Sequence, residues 1–314
     1  MPELPEVQTT VMGLSKILPG LTIKEVWSDL PKNKITRPDY KETIKYLPFY
    51  KKFVDLILNK KIISVERRAK NVLINISGGH TILIHMKMTG HLLFGEYIKK
   101  QISNNKLLIS KWEPKDKTGP LNDSYNRFIH VVFTLSNDKH LVFCDARKFG
   151  KVTLIPTNDA HKTSHLKMLG PEPLDKNFTL KKFIERISKK RNTPIKTILM
   201  DQTLISGIGN IYSDEMLWLA GINPEQKISE IPKQKIKTLY EGMKEVLNKG
   251  IDFGGDSMSD YRNVDGERGN FQHHHNVYRK ASEKCGKKNC KGVIIRKVIG
   301  GRSAHYCSVH QKKI

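Results

Sequence analysis

Two prolines within four residues, in the run Leu169-Gly170-Pro171-Glu172-Pro173-Leu174, separate stretches of opposite periodicity. Neither can sit inside a helix or a central strand, so the run predicts a linker. Before it, from about 60 to 157, apolar residues fall in short β-rich runs at 61–66, 72–76, 81–86, 128–135, 140–146 and 151–157, divided by Gly-Gly, Ser-Asn-Asp and similar turn clusters. Regular short strands with hairpin punctuation predict a sandwich or barrel-like domain. After the linker the spacing turns helical. Phe183, Ile184 and Ile187 mark one helix, and Ile195, Ile198 and Leu199 a second. A third covers about 210–220, and Ile236, Leu239, Tyr240, Met243, Val246 and Leu247 give a longer fourth. A further helix leads the chain, where Val7, Val11, Leu14, Ile17 and Leu18 repeat until Pro19-Gly20 ends them. The stretch at about 97–127 is polar, lysine-rich and without period, and reads as a surface insertion. The fold class expected is α+β.

With 55 Lys and Arg against 31 Asp and Glu in 314 residues, the formal charge is +24. Such a balance favours a polyanionic partner, most simply nucleic acid, although charge alone also admits an anionic membrane. No apolar run approaches the ~18 residues of a membrane span. The opening MPELPEVQTT lacks a basic segment followed by an apolar one, so no export signal is expected and the location predicted is cytoplasmic or DNA-associated. Four cysteines in a chain this long do not make a disulfide framework.

Three of those cysteines fall near the end, as Cys285-x4-Cys290 and then Cys307-x2-His310. Two close pairs divided by a hairpin-length segment are how a tetrahedral zinc site is built, each pair giving two ligands from one turn. The segment between them reads as two strands around Gly300-Gly301, with Arg302 at the turn. So little apolar content needs a staple to fold, which favours one structural Zn2+. Cys144, alone in a strand, reads as a buried apolar residue. The His273-His274-His275 run reads as a solvated loop rather than a second metal site. From 266 to 314 the chain carries twelve Lys and Arg against two Asp and Glu.

The segment SGIGNIY at 206–212 lies between two helical stretches. Gly207 and Gly209 permit a tight turn, and Asn210 falls where a helix begins, a favoured capping position. A helix N-terminus there attracts phosphate. At the start of the chain, a small second residue favours removal of Met1, which leaves Pro2 with a free secondary amine. An α-amino group titrating near ~7.7–8.0 is unprotonated in roughly a tenth to a third of molecules between about pH 7.0 and 7.4. That is a usable nucleophile toward a carbonyl-like carbon, with a nearby carboxyl group as acid.

Eight segments occur in one order: MPELPEV (1–7), RRAKNVL (67–73), IHMKMTG (84–90), DARKFG (145–150), LGPEPL (169–174), SGIGNIYSDE (206–215), DGERGNFQ (265–272) and GGRSAHYCSVHQ (300–311). Together they resemble the formamidopyrimidine-DNA glycosylase / endonuclease VIII family. The resemblance implies an N-terminal β-sandwich domain at 1–165, a helix–two-turn–helix domain at 166–265, and a lesion-capping loop with a zinc-finger β-hairpin at 266–314. It implies Pro2 as the nucleophile that attacks C1′ of the damaged nucleotide, Glu3 as the acid/base that opens the sugar ring, and Lys70 as the catalytic lysine. Glu6 and Glu215 match carboxylates of the lesion pocket, with buried structural acids as the alternative. Met88, Arg147 and Phe149 match the three side chains that fill the hole left by a flipped base. His85, Asn210 and Arg302 match phosphate contacts, and Cys285, Cys290, Cys307 and His310 the metal ligands. The partner implied is double-stranded DNA containing oxidised bases or abasic sites, with no membrane involved and the protein a monomer.

The chain departs from the family pattern in four places. The first cysteine pair is C-x4-C and the last ligand a histidine. Lys87 stands where a glycine is common, the 97–127 stretch is longer than usual, and VYRK at 277–280 lacks the glycine that often follows the tyrosine. The 257–272 segment looks more like the loop that caps oxidised purines, so 8-oxoguanine and formamidopyrimidines are the substrates expected. The alternatives are an endonuclease VIII-like enzyme for oxidised pyrimidines and a module that binds damaged DNA without cutting it.

Overall fold

A computed structural model describes residues 2–104 and 107–313. The fate of Met1 and the tip of the 97–127 stretch, at 105–106, lie outside the described residues. The chain forms two compact units, one of residues 1–166 with 254–270 and one of residues 167–253 with 271–314. The segment 254–270, which the sequence reading divides between two domains, thus returns to the first unit.

The first unit contains helix α1 (Leu4–Ile17), strand β1 (Ile23–Ser28), α2 (Leu47–Ile57), β2 (Ile62–Arg68), β3 (Asn71–Ile76), β4 (His80–His85) and β5 (Gly90–Gly95). It continues with β6 (Tyr97–Asn104), β7 (Leu107–Pro114), β8 (Ile129–Leu135), β9 (His140–Asp145) and β10 (Lys151–Pro156). Two antiparallel four-stranded sheets result, ordered β1-β8-β9-β5 and β10-β4-β3-β2. Alternation sorts their side chains. Val72, Ile74 and Ile76 of β3 and Ile82 and Ile84 of β4 share one core with Val131, Phe133, Leu135, Leu141 and Phe143 of the other sheet, and with Val7, Val11 and Leu14 of α1.

The 97–127 stretch is not the aperiodic insertion that its composition predicts. Residues 97–114 form the β6–β7 hairpin, paired from Tyr97↔Pro114 to Asn104↔Leu107. Tyr97 and Trp112 pack with Leu93, Val132, Val142 and Cys144, on the sheet face turned away from the main core. A few aromatic contacts at the hairpin base serve the burial, so the lysines between them mask the alternation. Cys144 is fully buried there, and burial pushes its thiol well above the usual range.

The second unit contains α3 (Leu180–Ile187), α4 (Ile195–Leu199), α5 (Asn210–Ala220), α6 (Lys233–Asp252), and strands β11 (Ile294–Ile299) and β12 (Arg302–Cys307). The helices enclose one core that includes Phe183, Ile198, Tyr212, Leu217, Leu239 and Met243. The predicted linker is packed rather than loose: the Gly170 amide donates to Gln202 O at 2.8 Å and that of Ser206 to Pro171 O at 3.0 Å. A Cβ at Gly170 would lie 2.7 Å from the Leu204 backbone, which explains the glycine. The histidine run is not a solvated loop throughout. His274 stacks on Phe253 with ring centroids 3.7 Å apart, and His275 is buried against Phe271 and Tyr278. Among the described residues no helix is long and apolar enough to cross a membrane.

Candidate active site and metal centre

Pro2 and Glu3 are buried immediately before α1. A helix begins with amide groups that have no partner inside it, and here Glu6, in the first turn, meets one of them. Its Oε2 accepts the Glu3 amide at 2.7 Å, while Oε1 accepts the Asp256 amide at 2.7 Å. The Tyr261 hydroxyl donates to the Glu6 carbonyl at 2.9 Å. Glu6 therefore fixes the backbone beside Pro2 and holds the 254–270 segment against the same helix turn.

Lys70 lies in the two-residue turn of the β2–β3 hairpin, 6% exposed, after Ala69 at φ +54°. The next residue, Asn71, pairs across the sheet with His85. His85 is held well below its ordinary pKa, by burial first and then by the cations Lys87, Lys70 and Lys151. Its Nδ1 accepts the Lys87 amide at 3.0 Å, which places the proton of the neutral ring on Nε2. A neutral donor surrounded by cations suits a phosphate oxygen. Lys87 itself has φ +57°, a left-handed conformation that glycine adopts at no steric cost.

Met88 follows in the turn between β4 and β5, half-buried, and does not belong to the core. Arg147 and Phe149 occupy the loop after β9. Phe149 is 39% exposed, and the Arg147 guanidinium lies 4.6 Å from its ring centroid. A large apolar side chain left in solvent beside a cation is a poor core residue and a suitable base-stack filler. Both turns converge on Asp145, which is buried and accepts from the Thr89 hydroxyl, from the Gly150 amide at 2.6 Å and from the Arg147 amide at 3.3 Å.

In the second unit, Gly207 turns at φ +88° and its amide donates to Gln202 Oε1 at 2.9 Å. Asn210 is the first residue inside α5, and Gly209, not Asn210, occupies the capping position. The Asn210 Oδ1 atom is buried without a hydrogen-bond partner. Helix α5 is buried almost all round, so its two acids need compensation. Glu215 accepts four hydrogen bonds: Oε1 from the Val277 and Tyr278 amides, Oε2 from the amide and side chain of Asn276, all at 2.8–3.0 Å. It organises the 276–278 turn. Asp214 accepts from Lys196, and from the amide and ring Nδ1 of His305 at 2.9 and 3.1 Å, tying α4 and α5 to β12. Arg302 opens β12, exposed, directly after Gly300 and Gly301 at φ +55° and +75°.

Cys285, Cys290, Cys307 and His310 bring their ligand atoms within 4.8 Å of one another. Cys285 Sγ lies 3.3 Å and Cys290 Sγ 3.9 Å from His310 Nδ1, and the Cys290 and Cys307 sulfurs are 3.5 Å apart. The His310 Nε2–H donates to the Trp218 carbonyl at 3.1 Å, which leaves the Nδ1 lone pair directed at the sulfurs. Trp218 Nε1–H donates to Cys285 Sγ, the Gly292 amide to Cys290 Sγ and the Val309 amide to Cys307 Sγ, at 3.3–3.4 Å. Each of the three sulfurs is thus held in place by an N–H donor, as the sulfurs of a metal site commonly are.

Residues 1–152 match the model of the formamidopyrimidine-DNA glycosylase N-terminal domain, and residues 169–262 that of the formamidopyrimidine-DNA glycosylase H2TH domain. The chain belongs to the formamidopyrimidine-DNA glycosylase family. Among curated relatives, it is 37% identical over 312 residues to the formamidopyrimidine-DNA glycosylase of Pelotomaculum thermopropionicum, with 99% of each chain covered. It is 33% identical to that of Ruegeria pomeroyi, over 99% of this chain and 100% of the relative. Among solved structures it is similar to Lactococcus lactis Fpg in complex with DNA containing N7-benzyl-Fapy-dG, at TM-score 0.79 and 30% identity over 99% of this chain and 100% of that one. It is likewise similar to MutM in complex with DNA containing carbocyclic 8-oxo-G, at TM-score 0.79 and 29% identity over the same shares. Membership of the formamidopyrimidine-DNA glycosylase family makes the chain a DNA glycosylase of base excision repair, with the abasic-site lyase activity general to that family.

Within this member of the family, the first unit brings Glu3 and Glu6 together directly, and places Lys70 beside the cations around His85. It ties the turn that carries Met88 and the loop that carries Arg147 and Phe149 to one residue, Asp145. The second unit gathers the four metal-ligand candidates. Sequence reasoning gave no role to Asp145, Asp214 or Arg262, whose importance lies in buried partners. Asp145 stands inside the quoted DARKFG motif, the one available signal for it.

Proposed function

We propose that this protein removes oxidised purines, 8-oxoguanine and formamidopyrimidines, from double-stranded DNA and then cleaves the strand at the resulting abasic site. The observation that carries this is the fixed helix start: Pro2 and Glu3 buried together, with the Glu3 amide held by Glu6. The Pro2 amine, exposed by loss of Met1, attacks C1′ of the damaged nucleotide and the base departs. Glu3 donates the proton that opens the deoxyribose ring. The resulting Schiff base acidifies the C2′ proton, so the 3′ phosphate and then the 5′ phosphate are eliminated, leaving a one-nucleotide gap.

Lys70 and His85 hold the phosphates flanking the lesion, with Asn210 and Arg302 as further phosphate contacts. Met88, Arg147 and Phe149 fill the vacated stack. Glu6 and Glu215 act as positioning acids, because backbone amides occupy both carboxylates. The purine preference is supported by the 257–272 segment, whose sequence resembles the loop that caps oxidised purines.

The metal is zinc. A tetrahedral ion with sulfurs at ~2.3 Å and a nitrogen at ~2.0 Å spaces such donors about 3.5–3.8 Å apart, close to the separations observed. Three cysteines and one histidine close the coordination shell, so its contribution is structural: it holds the β11–β12 hairpin that carries Arg302.

The test is borohydride trapping on a duplex carrying one abasic site. A covalent protein–DNA band is expected, absent when Met1 is retained. Failure to trap, with mass spectrometry showing a free Pro2, would leave a damage-binding module as the reading.

A further inference from the structure

Among the described residues, Arg262 is the largest fully buried side chain, at 1% exposure. It lies in the 254–270 segment, and its partners come from two places. Nη2 donates to both carboxylate oxygens of Asp123, at 3.1 and 3.0 Å, and the guanidinium lies 4.7 Å from the ring centroid of Tyr125. Nη1 donates to the carbonyls of Ser259 and Tyr261, at 3.0 and 2.8 Å. The planar fork of arginine thus joins the backbone of the 257–262 turn to the end of the long 97–127 stretch.

The same two segments meet at further points. Asn126 Nδ2 donates to Pro120 O at 3.0 Å and reaches Gly266 O at 3.5 Å, while its Oδ1 meets His91 Nε2 at 2.9 Å. A Cβ at Gly266, where φ is +87°, would lie 2.7 Å from Pro120 O. On the opposite side the turn is fixed to α1. Tyr261 donates to the Glu6 carbonyl, the Asp256 amide to the Glu6 carboxylate, and the Ser257 hydroxyl to Tyr261 O at 2.8 Å. Between these anchors Met258 is exposed and Ser259 and Asp260 are half-buried. The tip is therefore a short solvent-facing arch whose inner carbonyls Arg262 grips from below.

We infer that the Asp123–Arg262 pair sets the shape of the 257–262 arch against the damaged base, which makes Arg262 a positioning residue for base excision and gives the extended 97–127 stretch a role in lesion selection. The inference rests on the glycosylase reading above. A buried guanidinium with a single carboxylate partner is costly to leave unpaired, so a structure that retains it gains definition of geometry rather than bulk stability. The arch needs such definition because a flipped base is recognised by hydrogen bonds and stacking in a close-fitting pocket. The lyase step needs the Pro2 amine and an open sugar, not a base, so the two steps separate the arch from the nucleophile.

The experiment compares wild type with Asp123→Asn and Arg262→Lys, under single turnover, on two duplexes: one with 8-oxoguanine opposite cytosine, one with an abasic site. Asp123→Asn keeps the shape of the side chain and an oxygen for the Tyr125 amide that it now accepts at 2.8 Å. Excision of 8-oxoguanine is expected to fall by about tenfold or more, as for a misplacement of an ångström or so, while the abasic-site rate is unchanged. Hydrogen exchange should quicken at the 257–262 amides and stay slow in β3 and β4, which reports local release without loss of fold. Equal losses on both duplexes, or excision unchanged in both variants, would overturn the inference. A wild type that trapped on abasic DNA but excised no 8-oxoguanine would instead overturn the purine reading.

Discussion

Asp145 accepts a hydrogen bond from the hydroxyl of Thr89, and through that contact one buried carboxylate governs two turns. Thr89 ends the turn that carries Met88. Asp145 also caps the loop that carries Arg147 and Phe149, through the Arg147 and Gly150 amides. The three side chains proposed to enter the base stack therefore come from two separate turns yet share one anchor. Asp145→Asn presents an N–H₂ group to one of these donors. The expected cost is about 1–3 kcal/mol of stability for the unsatisfied group, measured by thermal melting. Excision of 8-oxoguanine is expected to slow by roughly tenfold or more at saturating enzyme. An excision rate equal to wild type would show that the two turns hold their positions without the carboxylate.

His91 makes stability depend on pH. It is buried, its Nε2 meets Asn126 Oδ1, and burial pushes its pKa down to about 4 despite that hydrogen bond. The unfolded chain binds a proton near ~6.5 and the folded one does not, so stability is full above that value and falls as pH drops toward 4. The loss attributable to His91 is up to about 3 kcal/mol across the window. Melting temperatures of wild type and His91→Gln, measured from pH 7 to pH 4, should converge as the pH falls. Parallel curves would remove His91 from the account.

The parts of this architecture that follow a strict period were legible before any coordinates. Strands β2, β3, β4, β8, β9 and β10, and helices α1, α3, α4, α5 and α6, lie where β-rich runs or helical spacing place them, because each buries at least one apolar face. Strands β1 and β5 and the β6–β7 hairpin do not announce themselves. β1 buries few of its residues and β5 ends in glycines at both sides, while the hairpin hides Tyr97 and Trp112 among lysines. The metal cluster was legible because ligand spacing is a local property. The roles of Asp145, Asp214 and Arg262 were not, because each depends on partners 50 or more residues away in the chain, or on other elements, that only the fold brings near.

Lys87 illustrates a departure that the structure explains. It adopts φ +57° beside His85 and Met88, where a side chain costs roughly 1–2 kcal/mol relative to glycine. Its ammonium is also, after burial, the strongest of the charges that hold the His85 pKa down. Lys87→Gly should raise stability by about 0.5–1 kcal/mol, the gain reduced by the greater freedom of the unfolded glycine. The same change removes a neighbouring cation and opens the site to water, so the His85 pKa should rise. Histidine resonances followed by NMR through a pH titration decide the matter, and a His85 pKa unmoved or lowered would contradict the arrangement.

The histidine ligand gives the sharpest test of the metal centre. His310 directs Nδ1 at the sulfurs only because Nε2–H is committed to the Trp218 carbonyl, so ring orientation and ligation are linked. The purified protein is expected to contain one zinc per chain by elemental analysis. His310→Ala should lose it, since three thiolates without a fourth donor leave the shell open, whereas His310→Cys should keep it. Because the metal folds a hairpin of little apolar content, its removal by a chelator should lower the melting temperature and weaken DNA binding together. The weakening should include a shallower dependence of binding on salt, by about one charge, as Arg302 ceases to neutralise a phosphate. Binding that kept its salt slope after zinc was removed would place Arg302 away from the DNA backbone, and a metal-replete His310→Ala protein would strike His310 from the ligands.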